Sequence, residues 1–186
     1  MSEDDALAAL VVQAQAGDGA AMEGLVAQLR PRIFRYVLAR VLDPHTADDV
    51  TQEVAMTVLS ALPRYVDQGR PVTAWVFGIA ANKVREQRRA SSRRNESPVD
   101  VVGDSIGDER LEPEQATLRL EAARQTAALL ATLPEQQAEI LRLRIAAGLS
   151  AEETAGVLGM SPGAVRVAQH RALARLRSSL ALDALS

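Results

Sequence analysis

One segment of this chain carries the clearest signals of local structure, LSAEETAGVLGMSPGAVRVAQHRALARLR at positions 149–177. Ser150 is a candidate N-cap, and Glu153, three residues later, completes a capping box at the start of a helix. Gly159 follows where the chain must turn with positive φ, and Ser161, with a proline after it, starts a second helix. The segment therefore predicts a helix-turn-helix.

Helical geometry gives the two sides of the second helix different environments. At about 100° per residue, five apolar residues fall on one side and are predicted to face the core: Val165, Ala168, Ala172, Leu176 and Leu180. The opposite side carries small and basic residues, with further arginines at its margins: Gly163, Arg166, Val167, His170 and Ala174, then Arg171, Arg175 and Arg177. Basic groups beside small side chains suit entry into the major groove. We interpret the helix as a DNA-recognition helix; the alternative is an amphipathic, basic C-terminal helix.

The amino-acid composition limits the fold classes that this chain can adopt. The 186 residues suffice for one domain or two small ones, and 47% of them are hydrophobic but only 3% aromatic. Alanine, leucine and valine must therefore build the core, which suits helices. Cysteine is absent, which excludes disulfides, thiolate zinc sites and cysteine nucleophiles.

Charge is distributed in blocks along the chain. The formal net charge of -3 taken alone argues against a nucleic-acid binder. However, six basic residues and one acid lie between Lys83 and Arg94, and four arginines and no acid lie within 166–177. Between the two basic blocks, residues 96–114 hold seven acids and one base. This pattern predicts two electropositive surfaces on an acidic chain, or else solvated helix faces.

The periodicity predicts an all-α protein with no strand. The acidic stretch at 96–113, which contains prolines and glycines, is predicted to be a flexible linker between two small helical domains. Thr46 is the expected N-cap of the third helix, and Pro31 should kink or divide the second. The predicted helices are about 4–16, 19–42, 46–62, 72–91, 114–132, 135–147, 151–158 and 162–180.

Two features of the N-terminal half have alternative interpretations. The third helix presents polar and acidic residues opposite its apolar stripe, either as a solvated face or as a partner-binding face: Asp48, Asp49, Gln52 and Glu53. Trp75 could stack on a nucleobase, but it lies on the apolar stripe of the fourth helix, which assigns it to the core.

Four motifs together resemble the extracytoplasmic-function (group 4) sigma factors of bacterial RNA polymerase. They occur in the family's order: DDVTQEV at 48–54, AWVFGIAANK at 74–83, LPEQQ at 133–137 and GLSAEETA at 148–155. ALPRY at 61–65 and the segment 163–177 look most like the actinobacterial sigma factor D-like subgroup. The resemblance implies a sigma-2 domain over 5–95, a linker over 96–113 and a sigma-4 domain over 114–182.

The family also implies roles for residues. An alternative sigma factor of this kind binds core RNA polymerase, recognises the −35 and −10 promoter elements and directs promoter melting. The acidic face of the third helix would bind the clamp helices of the largest subunit, and the sigma-4 domain would bind the flap of the second-largest. Asn82 would lie beside the flipped −10 base, with the turn 66–72 shaping its pocket, and four basic residues would hold the single strand: Lys83, Arg85, Arg88 and Arg89.

The −35 contacts of the family fall on the outward face of the last helix. The residues expected to contact −35 DNA are Ser161, Arg166, Val167, His170, Arg171 and Arg175. Val167 and His170 differ from residues common in the family, so the resemblance leaves the preferred −35 base open.

Two other classes of protein remain alternatives. An autonomous helix-turn-helix regulator would share the C-terminal motif, but its other half would be rich in strands or carry a ligand pocket. An enzyme is disfavoured because the only histidines, His45 and His170, lie in different halves and no glycine-rich phosphate loop is present. We expect no cofactor, no metal and no membrane insertion, and we expect a cytoplasmic location. An anti-sigma factor is an optional further partner.

Overall fold

The computed structural model describes residues 3–95 and 113–183, and within these ranges the chain is helical and has no strand. This confirms the all-α prediction. The predicted linker lies outside the described residues except for its last residue, Pro113. The helices are α1 (Glu3–Gln15), α2 (Gly19–Val41), α3 (Pro44–Ala61), α4 (Val72–Asn95), α5 (Pro113–Ala131), α6 (Glu135–Leu141), α7 (Ala151–Leu158) and α8 (Pro162–Asp183), with a 3-10 turn at Leu62–Arg64 and a π-helical segment at Arg142–Ala146.

Helices α1 to α4 form an N-terminal bundle around an aliphatic core. Side chains from all four helices are buried together, among them Leu7, Leu25, Ile33, Val54 and Phe77. Each large aliphatic side chain buried in this way contributes on the order of 1.5–3 kcal/mol to folding. Pro31 lies inside α2 and does not divide it.

The start of α3 differs from the sequence prediction. The helix begins at Pro44, and its N-cap is Asp43 rather than Thr46. The Asp43 carboxylate accepts hydrogen bonds from the Thr46 backbone N–H at 2.8 Å and from the Thr46 hydroxyl at 2.6 Å. Partial burial raises the pKa of Asp43, but the two hydrogen bonds from Thr46 lower it, and the pKa lies below its ordinary value. Proline is favoured at the first helical position, and the residue before that position is the N-cap. Because Pro44 takes the first position, Asp43 is the cap.

Helices α5 to α8 form a C-terminal bundle with two small apolar clusters. One cluster joins the ends of α5 and α6 to Ala172 of α8, and the other joins α6 and α7 to Val165 of α8. Val165 and Ala172 are fully buried, as predicted. Leu180 was wrongly assigned to the core and is 48% exposed, because α8 packs on these clusters only as far as Leu176.

The two bundles pack against each other. Three apolar residues around the π-helical segment and the turn after it join the N-terminal core rather than either C-terminal cluster: Leu143, Ala147 and Leu149. Helix α7 also lies against α4. No local pattern along the chain indicates this contact between the halves.

Candidate functional site

Local hydrogen bonds define the helix-turn-helix. The Ser150 hydroxyl accepts a hydrogen bond from the Glu153 N–H at 3.0 Å, and the Glu153 carboxylate accepts one from the Ser150 N–H at 2.5 Å. Gly159 ends α7 in the left-handed region with φ 65°, and the Ser161 hydroxyl accepts from the Ala164 N–H at the start of α8. The predicted capping box and turn glycine are therefore confirmed, and they fix the direction in which α8 leaves the turn.

The outward face of α8 is exposed along its length. All six side chains predicted to contact −35 DNA are accessible: Ser161, Arg166, Val167, His170, Arg171 and Arg175. Two of the arginines have partners within the bundle. Arg166 pairs with the Glu152 carboxylate at 2.5 Å, and Arg175 donates to the Gln137 side-chain oxygen at 3.3 Å. Because all six side chains stay exposed despite these two contacts, the basic side of α8 can approach a large ligand.

A second basic face lies on the outer side of α4. Asn82, Arg85, Arg88 and Arg89 are exposed. The Arg85 guanidinium donates to the Asn82 side-chain oxygen at 2.7 Å, which leaves the amide nitrogen of Asn82 directed away from this bond. Lys83 differs from the others, because its ammonium lies 3.4 Å from Glu53 and 3.6 Å from Glu86.

The turn before α4 encloses a pocket of about 410 Å³. Tyr65 and Trp75 pack on each other in its wall, with ring centroids 4.5 Å apart. The remaining lining comes from the turn, α4 and α7: Arg64, Val66, Gln68, Arg70, Pro71, Ala74 and Gly156. Trp75 is half-buried, so it packs against the core as predicted and also lines the pocket.

Gln15 at the end of α1 holds the start of this turn, a contact that sequence reasoning missed. Its side-chain amide donates to the Leu62 carbonyl at 2.9 Å and to the Tyr65 carbonyl at 2.7 Å. Polar residues at the ends of helices are common, so Gln15 alone does not indicate a contact with a residue 47 positions away.

The polar face of α3 is accessible. Asp49, Gln52 and Glu53 are exposed, whereas Asp48 is half-buried and accepts a hydrogen bond from Arg30 at 2.7 Å. A shallow depression on this face is lined by Asp49, Gln52, Glu53, Met56, Thr57 and Lys83. Met56 is 64% exposed at its edge and was missed as a candidate. The helical spacing does indicate that Met56 belongs to this face, because Met56 lies one turn after Gln52 on the polar side of the helix.

Among the residues that the structure describes, no group of three or more His, Cys, Asp or Glu side chains could hold a metal ion. Nor does any described helix combine the length and the apolar character that a membrane crossing requires.

Two family models match the chain. The model described as Sigma-70 region 2 matches residues 25–94, and the model described as Sigma-70, region 4 matches residues 123–176. The first match covers most of α2, all of α3 and nearly all of α4, with the polar face, the second basic face and every pocket residue except Gly156. The second covers the helix-turn-helix almost to the end of the basic part of α8.

Characterised relatives are similar over nearly the whole chain. The ECF RNA polymerase sigma factor ShbA of Streptomyces griseus is 47% identical over 184 residues, covering 95% of this chain and 96% of the relative. The ECF RNA polymerase sigma factor SigD of Mycobacterium tuberculosis is 42% identical over 182 residues, covering 96% of this chain and 85% of the relative.

A solved structure extends the similarity to three dimensions. The structure of CnrH in complex with the cytosolic domain of CnrY matches with a TM-score of 0.68 and 28% identity, covering 94% of this chain and 96% of that chain. Both halves of the chain, their order and their helices thus agree with one family. The chain belongs to the extracytoplasmic-function (group 4) sigma factors of the sigma-70 family, which act as alternative sigma factors in transcription initiation.

Proposed function

We propose that this chain directs core RNA polymerase to promoters through two separate DNA-binding faces and one polymerase-binding face. The observation that carries the proposal is the exposed basic side of α8, held on a capped helix-turn-helix whose reverse side is buried. Residues 114–182 would serve as the sigma-4 domain, residues 5–95 as the sigma-2 domain, and residues 96–113 as the acidic connection between them.

The outward face of α8 would read the −35 element. Arg166 lies in the first turns of the helix, the part that enters the major groove in helix-turn-helix proteins. Its guanidinium can donate two hydrogen bonds to the O6 and N7 atoms of guanine. Val167 and His170 would stand against neighbouring base edges, and Arg171 and Arg175 would contact phosphates.

The end of α4 and the turn before it would hold the −10 element as a single strand. The pocket beside Tyr65 and Trp75 has an aromatic wall and two arginines at its rim, which suits a base taken out of the stack. Asn82 would pair with the exposed base edge. The basic residues beside it would bind the strand's phosphates, and Lys83 would contribute least because two carboxylates already contact it. These residues are Lys83, Arg85, Arg88 and Arg89.

The polar face of α3 would bind the clamp helices of the polymerase's largest subunit. Asp49, Gln52 and Glu53 are exposed and carry net negative charge, so a basic partner surface would complement them. Met56 would add an apolar contact at the edge of this surface. The sigma-4 domain would in turn contact the flap of the second-largest subunit.

The chain itself would carry out no chemistry and need no cofactor or metal, because the polymerase catalyses nucleotide addition. It would work in the cytoplasm, where that polymerase is found. A partner of the anti-sigma class is also proposed, on the similarity to CnrH, whose solved structure contains the cytosolic domain of CnrY.

Transcription in vitro tests this function directly. Core polymerase is combined with the purified chain and a fragment library from the source genome, and the 5′ ends of the products are sequenced. We expect initiation at a common promoter sequence only when both proteins are present. The absence of any initiation site would contradict the proposal. Tight binding of duplex promoter by the chain alone would favour an autonomous helix-turn-helix regulator instead.

A further inference from the structure

Val167 is an exposed apolar residue among the basic residues on the outward face of α8. It is 51% exposed, and it belongs to neither apolar cluster of the C-terminal bundle. Valine is also a weaker helix former than alanine, because its branched Cβ restricts the side chain against the preceding turn. Burial and helix propensity therefore do not account for a valine at this position, whereas a partner outside the chain would bury it.

The residues around Val167 leave its methyl groups uncovered. Three small residues lie on the same side of the helix, three, four and seven positions away, and all are exposed: Ala164, Gly163 and Ala174. The long side chain of the preceding Arg166 is turned toward α7, where its guanidinium pairs with Glu152 at 2.5 Å. A flat molecular surface can therefore reach the Val167 methyl groups.

Gly163 gives a partner close access to the first turn of α8. A Cβ at this position would meet no atom of the described residues within 4 Å, so packing within that part of the chain does not require glycine here. Glycine is also the weakest helix former after proline. The missing Cβ does allow a partner to approach the backbone closely. The glycine thus favours a partner that lies against the first turn, beside Val167.

The position of the Val167 side chain is fixed by the rest of the helix. Val165 and Ala172 are fully buried on the reverse side of α8. The first turn is capped, because the Ser161 hydroxyl accepts a hydrogen bond from the Ala164 N–H at 3.2 Å. A valine side chain in a helix also has one strongly preferred rotamer. Little conformational entropy is therefore lost when the methyl groups of Val167 contact a partner.

The chemistry of the major groove limits the bases that Val167 can select. Arg166 and Val167 are consecutive residues, about 100° and 1.5 Å apart along the helix, so they face adjacent parts of the groove. Among the base edges exposed in that groove, only the edge of thymine carries a methyl group, and the other bases present hydrogen-bond donors and acceptors. A valine placed against those polar edges would exclude water from them and offer no hydrogen bond in return, which costs free energy.

We propose that Val167 selects thymine in the −35 element. Its methyl groups pack against the 5-methyl group of a thymine, on either strand, in the base pair next to the guanine that Arg166 contacts. The inference rests on the proposed function, because it assigns one base to one residue of the recognition helix. The two neighbours then divide the task, with Arg166 recognising its base by hydrogen bonds and Val167 recognising the next by an apolar contact.

Deoxyuridine in place of thymidine tests this contact, because it removes only the 5-methyl group and keeps the pairing with adenine. Promoter duplexes from the transcription experiment carry this replacement at one thymine of the −35 element at a time. The holoenzyme is assembled from core polymerase and the full chain, and its affinity for each duplex is measured by competition at a fixed salt concentration. Burial of one methyl group corresponds to a factor of about four in affinity. We expect a loss of this size at one thymine beside the guanine and smaller changes elsewhere.

Variants of Val167 show whether this residue makes the contact. Val167→Ala should reduce the ratio of the affinities for thymine and uracil from about four to about one, because the shorter side chain leaves a gap at the methyl group. Val167→Ile keeps both branches at Cβ and should keep the ratio. Val12→Ala is the matched control, because Val12 is 66% exposed in α1, and it should leave the ratio unchanged.

Gly163→Ala tests the close approach at the first turn. The added Cβ should hold the DNA away from Val167 and lower the ratio toward one. The free energy of unfolding should not fall, because alanine is the better helix former. Gly19→Ala is its matched control, since Gly19 begins α2 and a Cβ there would likewise meet no described atom within 4 Å. It should leave both the ratio and the promoter affinity unchanged.

Three results would overturn the proposal. The first is a ratio of one at every thymine of the −35 element in the unchanged protein. The second is a −35 element without thymine in either base pair beside the guanine. The third is a ratio of about four that persists in Val167→Ala, which would mean that another group contacts the methyl.

Failure of the proposed function gives a different result from failure of this contact. If core polymerase starts no transcripts with the chain, duplexes that the chain alone selects from the same library at low salt take the place of the promoters. The comparison of thymine with uracil then still decides the role of Val167, while the missing transcripts count against the proposed function alone. A chain that binds no duplex, with or without polymerase, would overturn both.

Discussion

The Glu152 carboxylate in the first turn of α7 pairs with the Arg166 guanidinium on the outward face of α8 at 2.5 Å. Both side chains are more than half exposed, so the pair lies on the surface that faces DNA in the proposed function. Surface pairs of this kind contribute little to stability. The pair of Glu152 and Arg166 matters for another reason, because it orients the arginine that is proposed to read the −35 element.

Arg166→Ala should weaken use of the −35 element by roughly 1–3 kcal/mol if Arg166 reads a base. The loss should depend on the −35 sequence, because a base contact discriminates and a phosphate contact does not. Open-complex formation is measured on promoters that carry each base at the −35 positions. Arg177→Ala is the matched control on the same helix. A loss that is uniform across all sequences would show that Arg166 contacts only the backbone.

The pKa of Glu152 should lie below its ordinary value and rise in Arg166→Ala. Hydrogen bonding to its own backbone N–H lowers this pKa most, and the hydrogen bond from Arg166 lowers it further. Removing the arginine removes only the second cause, so the rise should be partial. The charged pair is present above the pKa of a free glutamate and is lost as pH falls through the lowered pKa. A carboxyl-detected NMR titration measures both proteins, and identical pKa values would contradict the pairing in solution.

Ser150→Ala should lower the free energy of unfolding by about 1 kcal/mol. The change removes the hydroxyl that accepts from the Glu153 N–H, and it leaves the other half of the capping box in place. Ser178→Ala, an exposed serine within α8, is the control and should change stability by less. Urea unfolding followed by circular dichroism gives both values. An equal effect of the two changes would mean that the cap contributes nothing beyond helix propensity.

Local signals in the sequence predicted much of the fold. The capping box and Gly159 predicted the bounds of α7 without error, because the bonds that fix them join residues three to five positions apart. The start of α3 was misplaced because Asp43 and Thr46 are both good caps, and only the geometry of the chain decides between them.

Contacts between distant parts of the chain could not be predicted. Arg32 and Glu153 are 121 positions apart, and nothing in either local pattern indicates that they meet. Glu153 was interpreted as a capping residue alone, yet it also pairs with Arg32. The polar face of α3 and the basic face of α4 were predicted as separate surfaces for the same reason, although Lys83 and Glu53 join them.

Stability should fall at high pH through Tyr36. Burial raises the pKa of Tyr36 most strongly, and the nearby Glu139 charge raises it further. The unfolded chain ionises this tyrosine near its ordinary pKa of 10.0, so the stabilisation is complete below that pH and is lost as pH rises through the higher pKa of the folded state. At pH 11 the loss should be on the order of 1 kcal/mol in the parent protein. Tyr36→Phe should lack this loss and Tyr65→Phe should keep it, as measured by urea unfolding at pH 8 and pH 11.

Arg88 and Lys83 should differ in how they affect the salt dependence of promoter binding. Both lie on α4, but Lys83 contacts Glu53 and Glu86, whereas Arg88 is exposed and has no ion pair among the residues described. The two carboxylates raise the pKa of Lys83 and offset its charge, so fewer counterions of the strand are released when DNA meets it. Arg88→Ala should reduce the slope of log K against log salt concentration by about 0.7, the value for one contact to a single strand.

Lys83→Ala should reduce that slope by clearly less than Arg88→Ala. It should instead weaken binding of core polymerase, because Glu53 would lose the ammonium that holds its side chain in the depression on α3. The polymerase affinity is measured by fluorescence anisotropy, and the slope is measured with the assembled holoenzyme on a promoter opened in advance. Glu53→Gln is the control, since it breaks the same contact but leaves the lysine free for DNA and should steepen the slope. Equal slopes for Lys83→Ala and Arg88→Ala would mean that Lys83 leaves both carboxylates when it meets the strand.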